Sequence, residues 1–148
     1  MRYSTSPFKA NHMASIFSKI ISGEIPSLKV AEDDRCLAFL DVRPIVFGHT
    51  LVVPKLEVDY YFDLEDDYLA ELNLFAKKVA RVLRIEVECI RIGVMIAGLE
   101  VPHAHIHLIP MNSIGDLNFT NPRPQFAQED MAALADRLQK AYHAAYLE

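Results

Sequence analysis

The sequence predicts an α+β domain with an antiparallel sheet of about five strands, one long helix and an additional C-terminal helix. Short apolar runs bounded by Pro, Gly and Asp predict strands, and longer stretches with apolar residues at helical spacing predict helices. The short turns between successive strands favour antiparallel pairing. A chain of 148 residues, 51% of them hydrophobic, contains enough apolar material for one full core.

The N-terminal half is predicted to contain a short helix followed by three strands. Ser15 can cap a helix over residues 16–21 because its hydroxyl can accept a hydrogen bond from the first helical turn. Strands are expected over residues 29–32, 36–40 and 50–54. Pro44 and Gly48 interrupt the chain between the last two of these strands, so residues 41–49 are expected to form a loop.

The C-terminal half is predicted to contain the two longest helices. A helix is expected from about residue 64 to 84, with the apolar stripe Leu64, Tyr68, Leu72, Phe75, Val79 and Leu83. A strand over residues 89–96 leads into a further strand that carries three histidines. A terminal helix is expected from about Gln128, with the apolar stripe Met131, Leu134, Ala135, Leu138 and Tyr142.

These patterns divide the chain into three parts. Residues 1–14 carry no clear period and contain a second methionine, Met13, so they are predicted to be a leader that is disordered or was added for expression. Residues 15–112 are predicted to form the main domain. Residues 113–148 are predicted to form a loop and a helix that pack on it.

Composition excludes several classes of protein. The sequence has no apolar run long enough to span a bilayer and no signal-peptide pattern, which predicts a cytoplasmic protein without a membrane partner. Two cysteines, Cys36 and Cys89, fit reduced thiols better than a disulfide framework. A net charge of −5 argues against a nucleic-acid polymer as partner. A small phosphate-bearing ligand remains compatible, because backbone amides and imidazoles can bind phosphate locally.

The run V-P-H-A-H-I-H-L-I-P places His103, His105 and His107 at alternate positions, and therefore on one face of a strand. Histidine is a nucleophile with a pKa near neutrality, so this row favours catalysis. Buried, hydrogen-bonded core histidines are the structural alternative. Metal binding is another, with His49 or Glu100 as an extra ligand, but no Cys-x-x-Cys or H-E-x-x-H motif supports it. We therefore expect no metal and no cofactor.

Four segments in order, I-F-S-K-I-I-S-G-E-I-P, A-F-L-D, G-H-T-L-V-V-P-K and V-P-H-A-H-I-H-L-I-P, resemble the histidine triad family of nucleotide-binding proteins. The opening segment and A-F-L-D are most similar to its nucleoside phosphoramidate-cleaving branch. The resemblance implies the corresponding α+β fold, a purine nucleotide or nucleotide conjugate as substrate, and cleavage at the α-phosphate. It also implies a homodimer formed through the long helix and the strand before the histidines.

The resemblance further implies a role for each site residue. His105 would attack the α-phosphorus, His107 would hydrogen-bond a phosphate oxygen, and His103 and His49 would complete the cluster. A backbone carbonyl before His105 would orient the nucleophile. Asp41 would bind the ribose hydroxyls. An apolar slot for the base would be formed by Phe17, Ile16, Ile20, Phe39 and Val42.

Three positions depart from the family's pattern. Ile92 stands where relatives place an amide that touches phosphate, Leu99 replaces a polar residue, and Glu100 replaces a hydroxyl near the leaving group. A carboxylate repels phosphate unless it is protonated, turned away or paired with a cation. Our hypothesis is that Glu100 selects a leaving group that carries an amine. Two alternatives to a nucleotidyl-histidine hydrolase remain open, namely a non-catalytic nucleotide-binding or interaction protein and a metal-dependent hydrolase.

Overall fold

A computed structural model describes residues 14–148. Its helices and strands are α1 (Ile16–Ile21), β1 (Lys29–Glu32), β2 (Cys36–Leu40), β3 (Thr50–Pro54), α2 (Asp66–Glu86), β4 (Arg91–Met95), β5 (Ile106–Met111) and α3 (Gln128–Tyr146). Single 3-10 turns at Tyr61–Asp63 and Ile114–Leu117 were not predicted. The prediction for residues 1–13 as part of a leader lies outside the described residues.

The five strands form one antiparallel sheet in the order β1-β2-β3-β5-β4, and this confirms the predicted fold class. Alternate residues of each strand face opposite sides. Ala38 and Leu40 of β2 join the larger core, which α2 and α3 cover. Leu37 and Phe39 of the same strand join a smaller cluster beneath α1. The sheet therefore has a helix-covered face and a second face on which α1 leaves room for a site.

The helices follow their apolar patterns. The Ser15 hydroxyl accepts a hydrogen bond from the Ser18 amide, as predicted for the cap of α1. All residues of the stripe predicted for the long helix are buried, although α2 begins at Asp66 rather than near residue 64. The five apolar residues predicted for α3 are also buried, and α3 packs against α2 and β1. No helix in the part described, residues 14–148, combines the length and apolarity needed to cross a membrane.

The histidine segment differs from its prediction. Strand β5 begins only at Ile106, so His103 and His105 lie in the approach to the strand and not within it. The His103 amide donates to the Val101 carbonyl, and the Ala104 amide donates to the Val58 carbonyl. The two histidines are therefore held by bonds to loop residues and not by a strand ladder, since β4 ends at Met95.

Gly48, directly before His49, has a backbone φ of +90°, which residues other than glycine rarely adopt. A Cβ at this position would lie 3.0 Å from Val87 Cγ2 and 3.1 Å from Pro110 Cγ. We expect Gly48→Ala to lower the free energy of unfolding by about 1–3 kcal/mol more than Gly23→Ala. Gly23 is the matched control, since its φ is +83° and a Cβ there would meet no atom within 4 Å. Urea unfolding measures the difference, and equal losses in the two variants would contradict the steric argument.

Candidate active site

The site begins with a row of paired residues across the sheet. Phe39 pairs with Leu51, Leu51 pairs with His107, and His107 pairs with Met95. Since paired residues of adjacent antiparallel strands share a face, His107 lies on the α1 side of the sheet. Phe17 of α1 covers the neighbouring segment, with its ring centroid 5.1 Å from that of His105 and 5.8 Å from that of His103.

His103 is fully buried and bonded at both ring nitrogens. Its Nε2 lies 2.8 Å from the Pro54 carbonyl oxygen, which can only accept, so Nε2 carries the proton. Its Nδ1 lies 2.7 Å from the Ser15 hydroxyl and accepts from it in the neutral ring. Burial lowers the pKa of His103. The ring therefore ties the start of α1 to the end of β3.

The tautomer of His105 is also fixed by a carbonyl oxygen that can only accept a hydrogen bond. Its Nδ1 lies 2.7 Å from the carbonyl oxygen of His103 and donates to it. In the neutral ring the other nitrogen, Nε2, then carries a lone pair. The carbonyl that the resemblance places before His105 is thus that of His103, two residues earlier. A fixed imidazole with an unprotonated ring nitrogen has the lone pair that nucleophilic attack requires.

His49 and His107 form what we call the histidine relay. The amide of Ile45 donates to His49 Nδ1 at 3.1 Å, so the proton of neutral His49 is on Nε2. That nitrogen lies 2.9 Å from His107 Nδ1 and donates to it. The proton of neutral His107 is therefore on its own Nε2. The Ile45 amide thus fixes the tautomers of both rings and leaves an N–H donor on His107 Nε2. The ring centroid of His107 is 4.8 Å from that of His105.

Both rings of the relay are held neutral by their surroundings. Burial lowers the pKa of His49 to about 3, with a further contribution from the positive charge of Arg123. Burial and the neighbouring His105 and His49 lower the pKa of His107 to about 3, against an opposing effect of Asp41. Near neutral pH the relay is consequently a chain of neutral donors and acceptors.

The depressed pKa values predict a pH dependence of stability. Below the ordinary pKa of 6.5 the unfolded chain binds a proton at His49 and at His107 that the folded protein excludes down to about pH 3. The free energy of unfolding should therefore fall as pH decreases from 7.5 to 5, by up to about 1.4 kcal/mol per pH unit for each histidine below 6.5. Urea unfolding at several pH values measures this slope.

Two variants provide the controls for that slope. His49→Gln should make it shallower by one proton, whereas His143→Gln should leave it unchanged, because His143 of α3 is exposed, with 61% of its side chain accessible. A stability that is constant between pH 7.5 and 5 would contradict the assignment of neutral, buried rings.

A cavity of about 380 Å³, the first cavity, opens beside His105 and His107. Five residues predicted to contact substrate line it: Ile16, Phe17, Asp41, Val42 and Glu100. Phe39 and Ile20 pack with Phe17 in the smaller cluster and are not among the residues that line this cavity. Their contact with substrate stays a prediction.

Asp41 lines this cavity and is fixed by its neighbours. One carboxylate oxygen accepts from the Arg43 amide at 2.8 Å and closes a tight turn. The other lies 3.6 Å from His49 Nε2, and 18% of the side chain is accessible. The Asp41 carboxylate can only accept hydrogen bonds, and one of its oxygens is already fixed by the Arg43 amide. A partly accessible carboxylate of this kind has the chemistry to accept hydrogen bonds from a pair of ribose hydroxyls.

The HIT domain family matches residues 22–114 of this sequence. The chain belongs to the histidine triad (HIT) family. Protein hit of Bacillus subtilis is 36% identical over 135 residues, which cover 83% of this chain and 93% of that protein. Adenosine 5'-monophosphoramidase HNT1 of Candida albicans is 36% identical over 110 residues, which cover 68% and 72% of the two chains.

A solved structure has the same HIT fold. It is that of a Hit-like protein involved in cell-cycle regulation from Bartonella henselae, with a TM-score of 0.76 and 29% identity. The alignment covers 90% of this chain and 99% of that chain. The resemblance drawn from the four sequence segments is thereby confirmed.

Ile92 does not have the position that its spacing in the HIT pattern predicts. It pairs with Pro110 and packs against the larger core, on the opposite face from the histidines. The β4 residues on the histidine face are Arg91, Gly93 and Met95, and Met95 pairs with His107. Ile92 lies an odd number of positions from each of them, and an odd step turns a strand residue to the other face.

A second cavity, of about 250 Å³, also borders His105 and His107. Its wall is largely apolar and includes Met95, Leu99, Leu117 and Phe119. Leu99 is 94% exposed at the rim. Of the two apolar residues that depart from the family's pattern, Leu99 therefore lines this cavity next to His105 and Ile92 does not.

Two residues of the segment between β5 and α3 were missed by sequence reasoning. Phe119 packs on the relay, with ring centroids 4.7 Å from His107 and 5.8 Å from His49. Arg123 lines the first cavity, and its Nη2 lies 4.0 Å from Glu100 Oε1. A usable signal was present, since Arg123 is the one charged residue between Asp116 and Glu129.

The residues Asp41, His49 and His107 could also be considered as metal ligands, since one donor atom of each lies within 4.8 Å of the others. However, the facing nitrogens of the two histidines are only 2.9 Å apart and share a proton. Nitrogens bound to one tetrahedral zinc ion lie about 3.3 Å apart and carry no proton. The arrangement fits a hydrogen-bonded relay better than a metal centre.

Proposed function

We propose that this HIT protein is a hydrolase that cleaves purine nucleotide derivatives at the α-phosphate through a nucleotidyl-histidine on His105. The observation that carries the proposal is the bond from His105 Nδ1 to the His103 carbonyl, because it leaves Nε2 free to attack. The likeness to an adenosine 5'-monophosphoramidase supports a nucleoside phosphoramidate as the substrate. Asp41 and the apolar residues of the first cavity would bind the nucleoside.

The reaction would proceed in two displacements at phosphorus. In the first, a bond forms between His105 Nε2 and the α-phosphorus, the phosphorus–nitrogen bond to the leaving group breaks, and the leaving nitrogen takes up a proton from solvent to depart as the amine. In the second, water attacks the same phosphorus, one proton of that water is released to solvent, and the bond to His105 breaks. The products are the nucleoside 5'-monophosphate and a neutral His105. The His103 carbonyl would stabilise the cationic ring of the intermediate by accepting a hydrogen bond from its Nδ1–H group.

The second cavity would accommodate the leaving group. Its apolar wall next to His105 favours an amine attached to an aromatic or aliphatic body. The role of Glu100 in selecting an amine stays a prediction. The variant Glu100→Ser tests it, because the hypothesis requires a loss of activity on amine-bearing leaving groups or a gain on neutral ones.

The proposal is tested with an adenosine phosphoramidate that carries a fluorescent aromatic amine. We expect release of the amine together with adenosine 5'-monophosphate. Intact-mass analysis after a rapid neutral quench in denaturant should show protein that carries one adenylyl group. The mass of the peptide containing His105 should show that the group is attached there. Nucleotide binding without turnover would instead support the alternative of a non-catalytic nucleotide-binding protein, and turnover that is lost with a chelator would support metal-dependent hydrolysis.

We also propose that the protein is a homodimer that joins sheets through β4. This strand is at the edge of the sheet, with Val94 58% exposed, and Ile90 just before it 59% exposed. An exposed apolar edge strand favours pairing with a second copy. Light scattering after size-exclusion chromatography should give twice the chain mass for the parent protein and a lower mass for Val94→Lys. A parent monomer at micromolar concentration would rule out the dimer.

We place this activity in the reducing cytoplasm. The cysteines support this location, because both Cys36 and Cys89 are free thiols. Cys36 is buried, and burial raises the pKa of its thiol to about 12, so it is not a nucleophile at neutral pH.

A further inference from the structure

Arg123 is brought to the first cavity by the segment that follows the family's matched region, residues 22–114. Its Nη1 donates to the Arg43 carbonyl at 3.0 Å, in the loop that also holds Asp41. The guanidinium carbon lies 5.4 Å from the centroid of the Phe119 ring. The side chain is only 22% exposed. These contacts hold a cation at the wall of the cavity and not in open solvent.

The guanidinium still has capacity for an anion. Its Nη2 lies 4.0 Å from Glu100 Oε1, which is longer than the roughly 2.7–2.9 Å of a charge-assisted hydrogen bond. The Glu100 side chain is 75% exposed, so this ion pair is weak. A guanidinium offers five N–H donors in a planar fork that fits phosphate oxygens.

A bound phosphate would require positive charge in the first cavity. His49 and His107 are neutral donors and acceptors, as their low pKa values require. Two acidic residues, Asp41 and Glu100, and two arginines, Arg43 and Arg123, line the same cavity. Arg43 is exposed, whereas only 22% of the Arg123 side chain is accessible, so Arg123 is the cation whose charge is less screened by solvent and would better compensate a nucleotide phosphate beside the neutral imidazoles.

We propose that Arg123 binds the phosphoryl oxygens of the nucleotide, so that the segment before α3 is part of the phosphate subsite of this protein. The inference rests on the proposed function and names Arg123 as the positive charge that compensates the phosphate. Arg123 would recognise the phosphate and not the nucleoside, and loss of its side chain should weaken only ligands that carry phosphate.

The test compares the binding of adenosine 5'-monophosphate and of adenosine by calorimetry. Arg123→Gln should weaken binding of the monophosphate about tenfold or more and change adenosine binding by less than about twofold. Arg123→Lys should recover part of the loss, because the positive charge is retained without the planar fork. Arg84→Gln is the matched control for loss of one positive charge, since Arg84 is an exposed residue of α2. It should leave both affinities unchanged.

Three results would overturn the inference. Unchanged monophosphate affinity in Arg123→Gln, with turnover by the parent protein intact, would remove Arg123 from the subsite and leave the proposed hydrolase standing. Equal weakening of adenosine and its monophosphate would show that Arg123 only supports the cavity wall. Absence of monophosphate binding and of turnover in the parent protein would overturn the proposed function together with this inference.

Discussion

Replacing His105 by alanine should lower kcat for hydrolysis of an adenosine phosphoramidate by about 10⁴-fold or more, because removal of a nucleophile leaves only the binding and electrostatic contributions of the site. The ring is 4% exposed, and the His103 carbonyl fixes its orientation through Nδ1. Binding of adenosine 5'-monophosphate should be retained. Steady-state release of the fluorescent amine measures the first quantity, and calorimetry measures the second.

A variant that has lost its fold would give the same loss of activity, so two controls are needed. The near-ultraviolet circular dichroism and the unfolding midpoint of His105→Ala should remain close to those of the parent protein. His143→Ala removes an exposed histidine of α3 and should retain full activity. A His105→Ala protein that is folded and hydrolyses the substrate at the parent rate would refute a nucleotidyl-histidine on this residue.

Replacing His107 by alanine should lower kcat by about 100- to 1,000-fold, the range found when one preorganised donor to a developing negative charge is removed. The relay places the proton of His107 on Nε2 because Nδ1 accepts from His49. That N–H is the donor we expect to meet a phosphoryl oxygen. The effect should appear mainly in kcat, since the donor matters most when charge accumulates on oxygen.

The matched variant for this prediction is His107→Gln, whose side-chain amide retains an N–H. It should recover a measurable part of the activity lost in His107→Ala. His49→Phe provides a second check, because it leaves His107 in place but removes the bond that sets its tautomer. We expect its kcat to lie between those of the parent protein and His107→Ala. A His107→Ala variant with parent kcat would exclude the relay from the chemistry.

The predicted elements were most accurate where the apolar period is uninterrupted. Strands β1, β2 and β3 and helix α1 have the predicted bounds, because strict local patterns and turn residues flank them. The bounds of α2 and β4 shifted by about two residues at most. The error at Ile92 has a different cause, since the face of a strand residue depends on register with a partner strand and one odd step reverses it.

The sequence alone determined that this chain is an α+β member of the HIT family, and it identified the four histidines and Asp41 as candidates for the site. Side-chain chemistry and spacing carry that information, because they are local properties. Only the tertiary structure decided which nitrogen of each ring carries a proton, since the deciding partners are the Pro54 carbonyl, the His103 carbonyl and the Ile45 amide. It also brought Arg123, 16 residues after His107 in the sequence, to the cavity beside the histidines. Contacts between distant segments depend on how the whole chain packs, and no local pattern encodes them.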